Sequence, residues 1–522
     1  MSLALELTIF SKLFAAVAEE MGIVLRRSAF SPNIKERRDY SCALFTAEGE
    51  LLAQAAHIPV HLGALPSTMA RILPEFELAP GDVLLLNDPY WGGTHLPDLT
   101  VIAPFYAGER LAFYLVNRAH HADVGGLTPG SMPLAQDLRE EGVIIPPTYL
   151  YRRGKLNQYF LDDLLSLMRV PEERRGDLAA QLAALNRGQE RLPAIVSRYG
   201  LGKLMEMSQA LLNYGEQAME ALIRRIPDGT YKFVDYLDDD GWGNQDLALR
   251  LTLTIKEAAA TLDFRESAGQ TTGGVNAVPP VVEAAGYYVF LALLPEEYPI
   301  NQGCFRPLTV LTQPGSLLDP VFPAPVAAGN VETSQRLVDV VLGALAQALP
   351  ETIPAASQGT MNNLAFGGVH PGTGREFTYY ETIAGGLGAG PQGPGLSGVH
   401  AHMTNTRNTP VEILEHDYPL LVERYAWREG SGGRGHFPGG QGLIRDFHFL
   451  APVTLSLLSE RRRHAPYGLN RGRPGAAGEN VLLTPAGEKI LPGKTNLSLP
   501  EGSHLSLRTP GGGGWGEDEE GR

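Results

Sequence analysis

Residues 82–126 read DVLLLNDPYWGGTHLPDLTVIAPFYAGERLAFYLVNRAHHADVGG, and this stretch decides how the N-terminal part of the chain folds. Short apolar runs at 82–86, 100–104 and 111–117 predict three strands, because each is rich in aliphatic or aromatic residues and is bounded by turn formers. Histidines and carboxylates are concentrated in the two loops that flank these strands. The sequence therefore predicts a small sheet that holds two polar loops.

The first loop, residues 87–98, contains Asp88, His95 and Asp98. Pro97 disfavours a helix here. We therefore expect His95 and Asp98, three positions apart, to lie on a turn that directs both side chains toward one point.

The second loop, residues 117–126, contains His120, His121 and Asp123 directly after the third strand. The end of a strand is a rigid place to hold ligands. Imidazoles and carboxylates without thiolates suit a divalent ion such as Zn, Mn or Fe, and three protein ligands leave one position open for water. A lone histidine is more often a hydrogen-bonded loop residue, but the clustering favours a metal site. The nearby pair His57 and His61 is a weaker candidate that could equally cap a loop by hydrogen bonds.

Composition predicts a globular protein with a large core, since 43% of the 522 residues are hydrophobic and 19% are charged. The formal net charge of -15 argues against a nucleic-acid partner or an anionic membrane surface. Cys42 and Cys304 are the two cysteines, too few for a disulfide framework. No run reaches the roughly 18 apolar residues that a membrane span requires. The cytoplasm is the expected location.

Periodicity predicts an α+β molecule of several subdomains with mixed sheets. We expect an N-terminal α/β region at residues 1–160 that carries the two loops, and a helical segment at residues 161–228. An antiparallel β region at residues 229–330 follows, and residues 331–522 contain a helix and then a Gly-rich, mostly β part.

Several elements can be predicted individually. An amphipathic N-terminal helix ends near Gly22, and a hairpin joins residues 40–46 to 50–55. A further helix has Asn330 as its N-cap and stops at Pro350. Glycines of the last third serve tight turns or close approach to a partner, and turns are the commoner reason.

Nucleotide-binding motifs are nearly absent. Residues 487–495, GEKILPGKT, have five residues between the glycines where a phosphate loop has four, and Pro492 precedes the second glycine. Residues 388–393, GAGPQG, match G-x-G-x-x-G by letter, but prolines at 391 and 394 prevent the helix that should meet a pyrophosphate. Both segments are predicted to be turns, and no cofactor-binding residues are assigned.

Blocks that run in order along the chain resemble the hydantoinase B/oxoprolinase family. They are NIKERRDYSCA (33–43), HIPVHLG (57–63), NDP (87–89), HLPD (95–98), HHADVGG (120–126), RRGDL (174–178), PAP (323–325) and TPGGGGWG (509–516). The order and span of these blocks are specific for the family and much less so for a substrate.

The resemblance implies a partner, an ATPase subunit of the hydantoinase A type, with which the chain forms a hetero-oligomer. The pair opens small cyclic amides such as hydantoins or 5-oxoproline, and ATP is used only through the partner. Similar subunits of acetone carboxylases imply that His95, Asp98 and His120 hold one divalent metal. His121 and Asp123 are the catalytic candidates for moving a proton or orienting the ligands. Asp88, His57 and His61 are other possible site residues.

Two alternatives remain open. Related subunits belong to ATP-dependent ketone carboxylases, so the same metal could bind an enolate while the partner activates bicarbonate. A non-catalytic scaffold for the ATPase partner, in which the histidines only pin loops together, is the third hypothesis.

Overall fold

The computed structural model of the chain describes residues 2–55, 57–295 and 298–518. These residues are 30% helix and 28% strand, so neither class dominates and the α+β prediction is confirmed. The helices are α1 (Leu3–Ser28), α2 (Pro32–Lys35), α3 (Pro59–Ile72), α4 (Leu138–Glu141), α5 (Gln158–Ser166), α6 (Pro171–Tyr199), α7 (Leu201–Ile223), α8 (Pro279–Ala292), α9 (Ser334–Leu345) and α10 (Val411–Asp417).

The strands of the described residues are divided among four sheets. They are β1 (Tyr40–Thr46), β2 (Leu51–Gln54), β3 (Val83–Leu86), β4 (Asp98–Ala107), β5 (Arg110–His120), β6 (Thr148–Arg152), β7 (Lys155–Leu156), β8 (Gly229–Asp239), β9 (Gln245–Lys256), β10 (Ala259–Asp263), β11 (Leu308–Leu311), β12 (Asn363–Val369), β13 (Glu376–Thr382), β14 (Leu420–Arg428), β15 (Gly442–Phe449), β16 (Val453–Leu458), β17 (Glu479–Thr484), β18 (Gly487–Leu491), β19 (Lys494–Leu499) and β20 (His504–Arg508).

The first sheet has the strand order β2-β1-β5-β4-β3-β6-β7 with antiparallel neighbours. It contains the predicted hairpin β1–β2 and the three strands expected in residues 82–126. Helices α1 and α6 pack on each other and on this sheet. Because β4 and β5 pair from end to end, Asp98 stands directly opposite His120.

Helix α1 does not end near Gly22 as predicted but continues to Ser28. Gly22 is buried inside the helix because the ring of His57 lies against it: a Cβ there would be 2.6 Å from His57 Cε1. A glycine that looks like a helix stop in the sequence therefore serves a close side-chain approach.

The middle of the chain contains the predicted helices, α5 to α7, and then a second sheet of order β11-β10-β9-β8. Helix α9 packs against β8, β9 and α8. The prediction that Asn330 is the N-cap of this helix is wrong, because a π-helical turn at Gly329–Thr333 precedes α9 and includes Asn330. The helix ends at Leu345, ahead of Pro350.

The last third forms the third sheet, β13-β12-β16-β19, and the fourth sheet, β14-β15-β20-β17-β18. Their apolar faces share a second core, in which Phe366, Phe447 and Leu505 are fully buried. The predicted turn at residues 388–393 is confirmed by a Gly390–Gly393 bridge. The prediction of a turn at residues 487–495 is wrong, because they form strand β18 and the start of β19, and only Pro492 and Gly493 lie between the two strands. The β-rich prediction for this third is confirmed.

Glycine-rich segments of this third lie side by side as extended chains. Residues 511–514 run through the middle, with hydrogen bonds from Gly512 N to Gly440 O (2.9 Å), from Gly513 N to Ala356 O (2.8 Å) and from Gly514 N to Arg473 O (2.9 Å). A Cβ on Gly512 would overlap the carbonyl of Leu387. Close backbone approach, more than tight turns, therefore explains the glycine density here.

Within the described residues, no helix combines the length and the apolar character that crossing a lipid bilayer requires.

Candidate metal centre

The two polar loops meet in one buried cluster. His95, Asp98 and His120 each offer a ligand atom, and these atoms all lie within 4.8 Å of one another. A turn closed by the hydrogen bond from Asp98 N to His95 O (3.1 Å) brings the first two together, as their spacing predicts. The pairing of β4 with β5 adds His120 from the opposite strand end.

The cluster leaves several buried polar atoms without hydrogen-bond partners. These atoms are Nδ1 and Nε2 of His95, Oδ1 of Asp98 and Nε2 of His120. His95 Nε2 and Asp98 Oδ1 are 3.5 Å apart. Buried polar atoms normally find partners, and a divalent ion accepts electron pairs from this mixture of imidazole nitrogen and carboxylate oxygen. The residues therefore fit a metal ion.

The electrostatics favour the protonation states that metal binding needs. Burial alone would raise the pKa of Asp98, but the imidazoles of His95 and His61 outweigh it and hold that pKa well below its ordinary value. Burial is the larger cause, and together with the neighbouring imidazole of His95 it holds the pKa of His120 well below its ordinary value. A carboxylate and a neutral imidazole are the ligand forms of these side chains.

His61 joins the site through Asp98. Its Nε2 lies 3.2 Å from Asp98 Oδ2, and its Nδ1 lies 3.0 Å from Oγ of Ser41. With Nε2 donating to the carboxylate, Nδ1 accepts from the serine hydroxyl. Thr94 also donates its hydroxyl to Asp98 Oδ2. One carboxylate oxygen is thus held in place while the other faces His95.

His120 is held from two sides. Asn33 Nδ2 lies 3.0 Å from His120 Nδ1, and Arg37 donates to Oδ1 of the same asparagine (3.0 Å). The ring of Tyr380 stacks on the imidazole with 4.6 Å between centroids and 7° between planes. These contacts direct Nε2 of His120 toward the cluster.

A small cavity of about 20 Å³ adjoins the cluster. A volume of that size holds about one water molecule. Its walls include Asp39, Asn330, Met361, Tyr380 and Met403, which come from distant parts of the sequence. Burial raises the pKa of Asp39 despite the nearby Arg37.

His57 and Asp88 do not join the cluster. His57 Nδ1 accepts a hydrogen bond from the backbone N–H of Cys42 (3.1 Å), and burial lowers the pKa of this imidazole to about 4. Asp88 caps a short 3-10 turn by accepting from the backbone N–H of Tyr90 (2.9 Å). Both side chains serve the local backbone.

His121 and Asp123 are engaged outside the cluster. His121 Nε2 lies 2.9 Å from Oε1 of Gln181 on α6. Asp123 accepts from the backbone N–H groups of Gly125 (2.7 Å) and Gly130 (2.9 Å) and pairs with Arg169 (3.1 Å). Asp123 therefore holds the second loop, and Nε2 of His121 ties that loop to α6, while Nδ1 of His121 has no hydrogen-bond partner among the described residues.

Sequence reasoning did not find the supporting contacts of Asn33 and Tyr380. Asn33 lies in a block that stands out only for its resemblance to the family, and Tyr380 gives no local signal because it reaches His120 from β13. His61 is only a weak candidate in the sequence, because α3 begins at Pro59 and contains Pro66, which hide its helical pattern.

Comparison with known proteins agrees with this architecture. The sequence matches the hydantoinase B/oxoprolinase profile over residues 4–518. It is 41% identical to 5-oxoprolinase 1 of Arabidopsis thaliana over 98% of this chain, but it spans only 42% of that protein. It is 32% identical to a Pseudomonas sp. protein provisionally named as the B-type subunit of a D-/L-hydantoinase, over 97% of this chain and 88% of that protein.

Two solved structures share the fold. The ATP-dependent caprolactamase of Pseudomonas jessenii superposes with a TM-score of 0.91 at 28% identity, over 99% of this chain and 92% of that chain. A nucleotide-free acetone carboxylase superposes with a TM-score of 0.89 at 19% identity, over 97% and 75% of the two chains, which shows the fold alone. The profile match over nearly the whole length means that this chain belongs to the hydantoinase B/oxoprolinase family.

Proposed function

We propose that this chain is the metal-bearing subunit of an ATP-dependent hydrolase that opens hydantoin-like or 5-oxoproline rings. The observation that carries the proposal is the buried cluster of His95, Asp98 and His120, with its four polar atoms that lack partners. Relatives named 5-oxoprolinase, hydantoinase and caprolactamase support a cyclic amide as the substrate class.

The residues divide the work of the site between them. His95, Asp98 and His120 hold the ion, and His61 with Thr94 orients the carboxylate of Asp98. When bound, a divalent ion such as Zn, Mn or Fe would supply Lewis acidity and lower the pKa of water toward about 7. The sequence-based hypothesis gave proton transfer to His121 or Asp123. Because both are hydrogen-bonded elsewhere, we propose that they position the loop.

An amide is a poor electrophile, so we propose that a separate ATPase subunit of the hydantoinase A type activates the ring by phosphorylating its amide oxygen. The chain spans 88% of the B-type hydantoinase relative but 42% of a 5-oxoprolinase. The name of the first relative, a B-type subunit, supports an A-type partner. A cytoplasmic location is proposed too, since Cys42 and Cys304 are both buried and unpaired.

A ring substrate needs more room than the cavity of about 20 Å³ offers. Met403 and Thr404 line it from an irregular segment. Loops move more readily than the sheet that holds the ligands. We therefore expect the segment around Met403 to shift when substrate or the partner binds.

The test is ring opening and ATP hydrolysis by the chain with and without its ATPase partner. Both activities should require the complex, and His95→Ala and Asp98→Ala should abolish ring opening while the fold remains intact. His416→Ala is a matched control, because His416 is an exposed histidine paired with Asp417 far from the cluster in sequence. Full ring opening by folded, metal-free complex would refute the proposal.

The fold shared with acetone carboxylase keeps ketone carboxylation as the second candidate. It predicts ATP use that depends on bicarbonate and a ketone, and it predicts no response to cyclic amides. A scaffold role would predict instead that His95→Ala retains full activity in the complex.

A further inference from the structure

A second group of metal-ligand side chains lies on the fourth sheet, in a different part of the sequence from the buried cluster. Glu423, His448 and His504 come from β14, β15 and β20, which are adjacent strands. Their ligand atoms all lie within 4.8 Å of one another. The side chains are between 24% and 42% exposed, so solvent ions can reach them.

The register of the sheet explains why the three side chains meet. His448 and His504 are direct cross-strand partners. Leu421 is the partner of His448 on the other side, and Glu423 lies two residues along β14. A β-bulge between Val422 and Arg424 alters the pairing at this point. Bulges commonly re-aim a side chain, and here Glu423 reaches both imidazoles.

The atoms already have nearly the spacing of a coordination shell. Nδ1 of His504 is 3.0 Å from Oε2 of Glu423, and Nδ1 of His448 is 3.5 Å from Oε1. The two rings are stacked, with centroids 4.1 Å apart and 15° between planes. Ligands about 2.1 Å from a tetrahedral Zn²⁺ lie roughly 3.4 Å from each other. Because the lone pair of each imidazole lies in the plane of its ring, an ion requires the two stacked rings to rotate toward each other.

The surrounding charges do not compete for Glu423. Arg424, the nearest cation along the strand, is paired with Asp446 at 2.7 Å. Among the described residues, the carboxylate of Glu423 forms ion pairs with the imidazoles of His448 and His504 and with no other side chain.

We propose that Glu423, His448 and His504 form a surface site for a transition-metal dication such as Zn²⁺. Two imidazoles and one carboxylate are ligands that Zn²⁺ prefers, and the exposed side leaves a fourth position for water. The ion would link edge strand β14 to β15 and β20. An ion that binds the folded state stabilises it by mass action.

The experiment is a zinc titration of the full chain at pH 7.5 against a chromophoric chelator, with unfolding temperature measured in parallel. The wild-type chain should bind about one more exchangeable Zn²⁺ than His504→Ala does. Glu423→Gln should also lose this ion or bind it more weakly. Added Zn²⁺ should raise the unfolding temperature of the wild type but raise that of His504→Ala less.

His416→Ala is the matched control, since His416 is an exposed histidine 2.8 Å from Asp417 and belongs to no such three-ligand group of the described residues. It should titrate as the wild type does. Equal zinc binding by the wild type, His504→Ala and Glu423→Gln would mean that the three side chains form an ion pair only, and the proposal would be overturned. No activity is measured, so the result is independent of the proposed function.

Discussion

Nε2 of His61 lies 3.2 Å from Oδ2 of Asp98, and both side chains are almost completely buried. This contact ties the first turn of α3 to the first residue of β4. It also leaves Oδ1 of Asp98 directed at His95, 3.5 Å from its Nε2. Partners of this kind, which do not bind the metal themselves, orient metal ligands.

The first prediction follows from this contact. His61→Ala should weaken metal affinity about 10–100-fold, because Asp98 loses a partner that orients it. Turnover of the complex should recover when metal is supplied in excess. Metal affinity and kcat at saturating metal are the two measurements. If kcat stays low at saturating metal, His61 acts on the reaction directly and the orienting role is wrong.

His121→Ala should lower stability more than it lowers turnover. Nε2 of His121 bonds Gln181 on α6, and leaving a buried partner unpaired costs about 1–3 kcal/mol. Denaturant unfolding and kcat of the complex test this. A loss of about 10²-fold or more in kcat with unchanged stability would restore the proton-transfer role.

Glu141 predicts a pH dependence of stability. Burial raises its pKa from 4.5 to about 8 in the folded chain. Between these values the unfolded chain binds fewer protons, so this group makes the free energy of unfolding fall as pH rises. Glu141→Gln should remove that component, which is up to about 1.4 kcal/mol per pH unit. The measurement is urea unfolding of the wild type and Glu141→Gln at several pH values from 5 to 8. If the difference between their free energies of unfolding stays constant over this range, the prediction is contradicted.

Gly512 should not tolerate a side chain. A Cβ there would overlap the carbonyl of Leu387, whereas a Cβ on Gly393 meets nothing within 4 Å. Gly512→Ala should therefore destabilise the chain by about 1–3 kcal/mol or more, and Gly393→Ala should be nearly neutral. The measurement is the unfolding temperature of each variant. Equal unfolding temperatures for Gly512→Ala and Gly393→Ala would show that the close packing of the glycine segments contributes little to the stability of the fold.

Local patterns in the sequence predict those parts of the fold and of the site that depend on residues close together in the chain. The turn that joins His95 to Asp98 follows from Pro97, and the strand before His120 follows from its apolar run. The α+β class and the hairpin were predicted for the same reason.

The features that the sequence did not predict depend on packing between residues that are far apart in the chain. Gly22 looked like a helix end, yet it accommodates His57. Tyr380 on β13 of the third sheet stacks on His120 at the end of β5 in the first sheet, and no local pattern encodes that contact. The glycines at 511–514 depend on neighbours that are far away in sequence, so turns were the natural but incomplete explanation.

The central claim is that His95, Asp98 and His120 hold a divalent metal. The most direct measurement is elemental analysis of His504→Ala, which removes the proposed surface site, beside the same chain with His95→Ala and Asp98→Ala added. We expect about one divalent ion per chain in the first protein and none in the second, with the same circular dichroism spectrum. No stoichiometric metal in the first, or equal metal in both folded proteins, would contradict the claim.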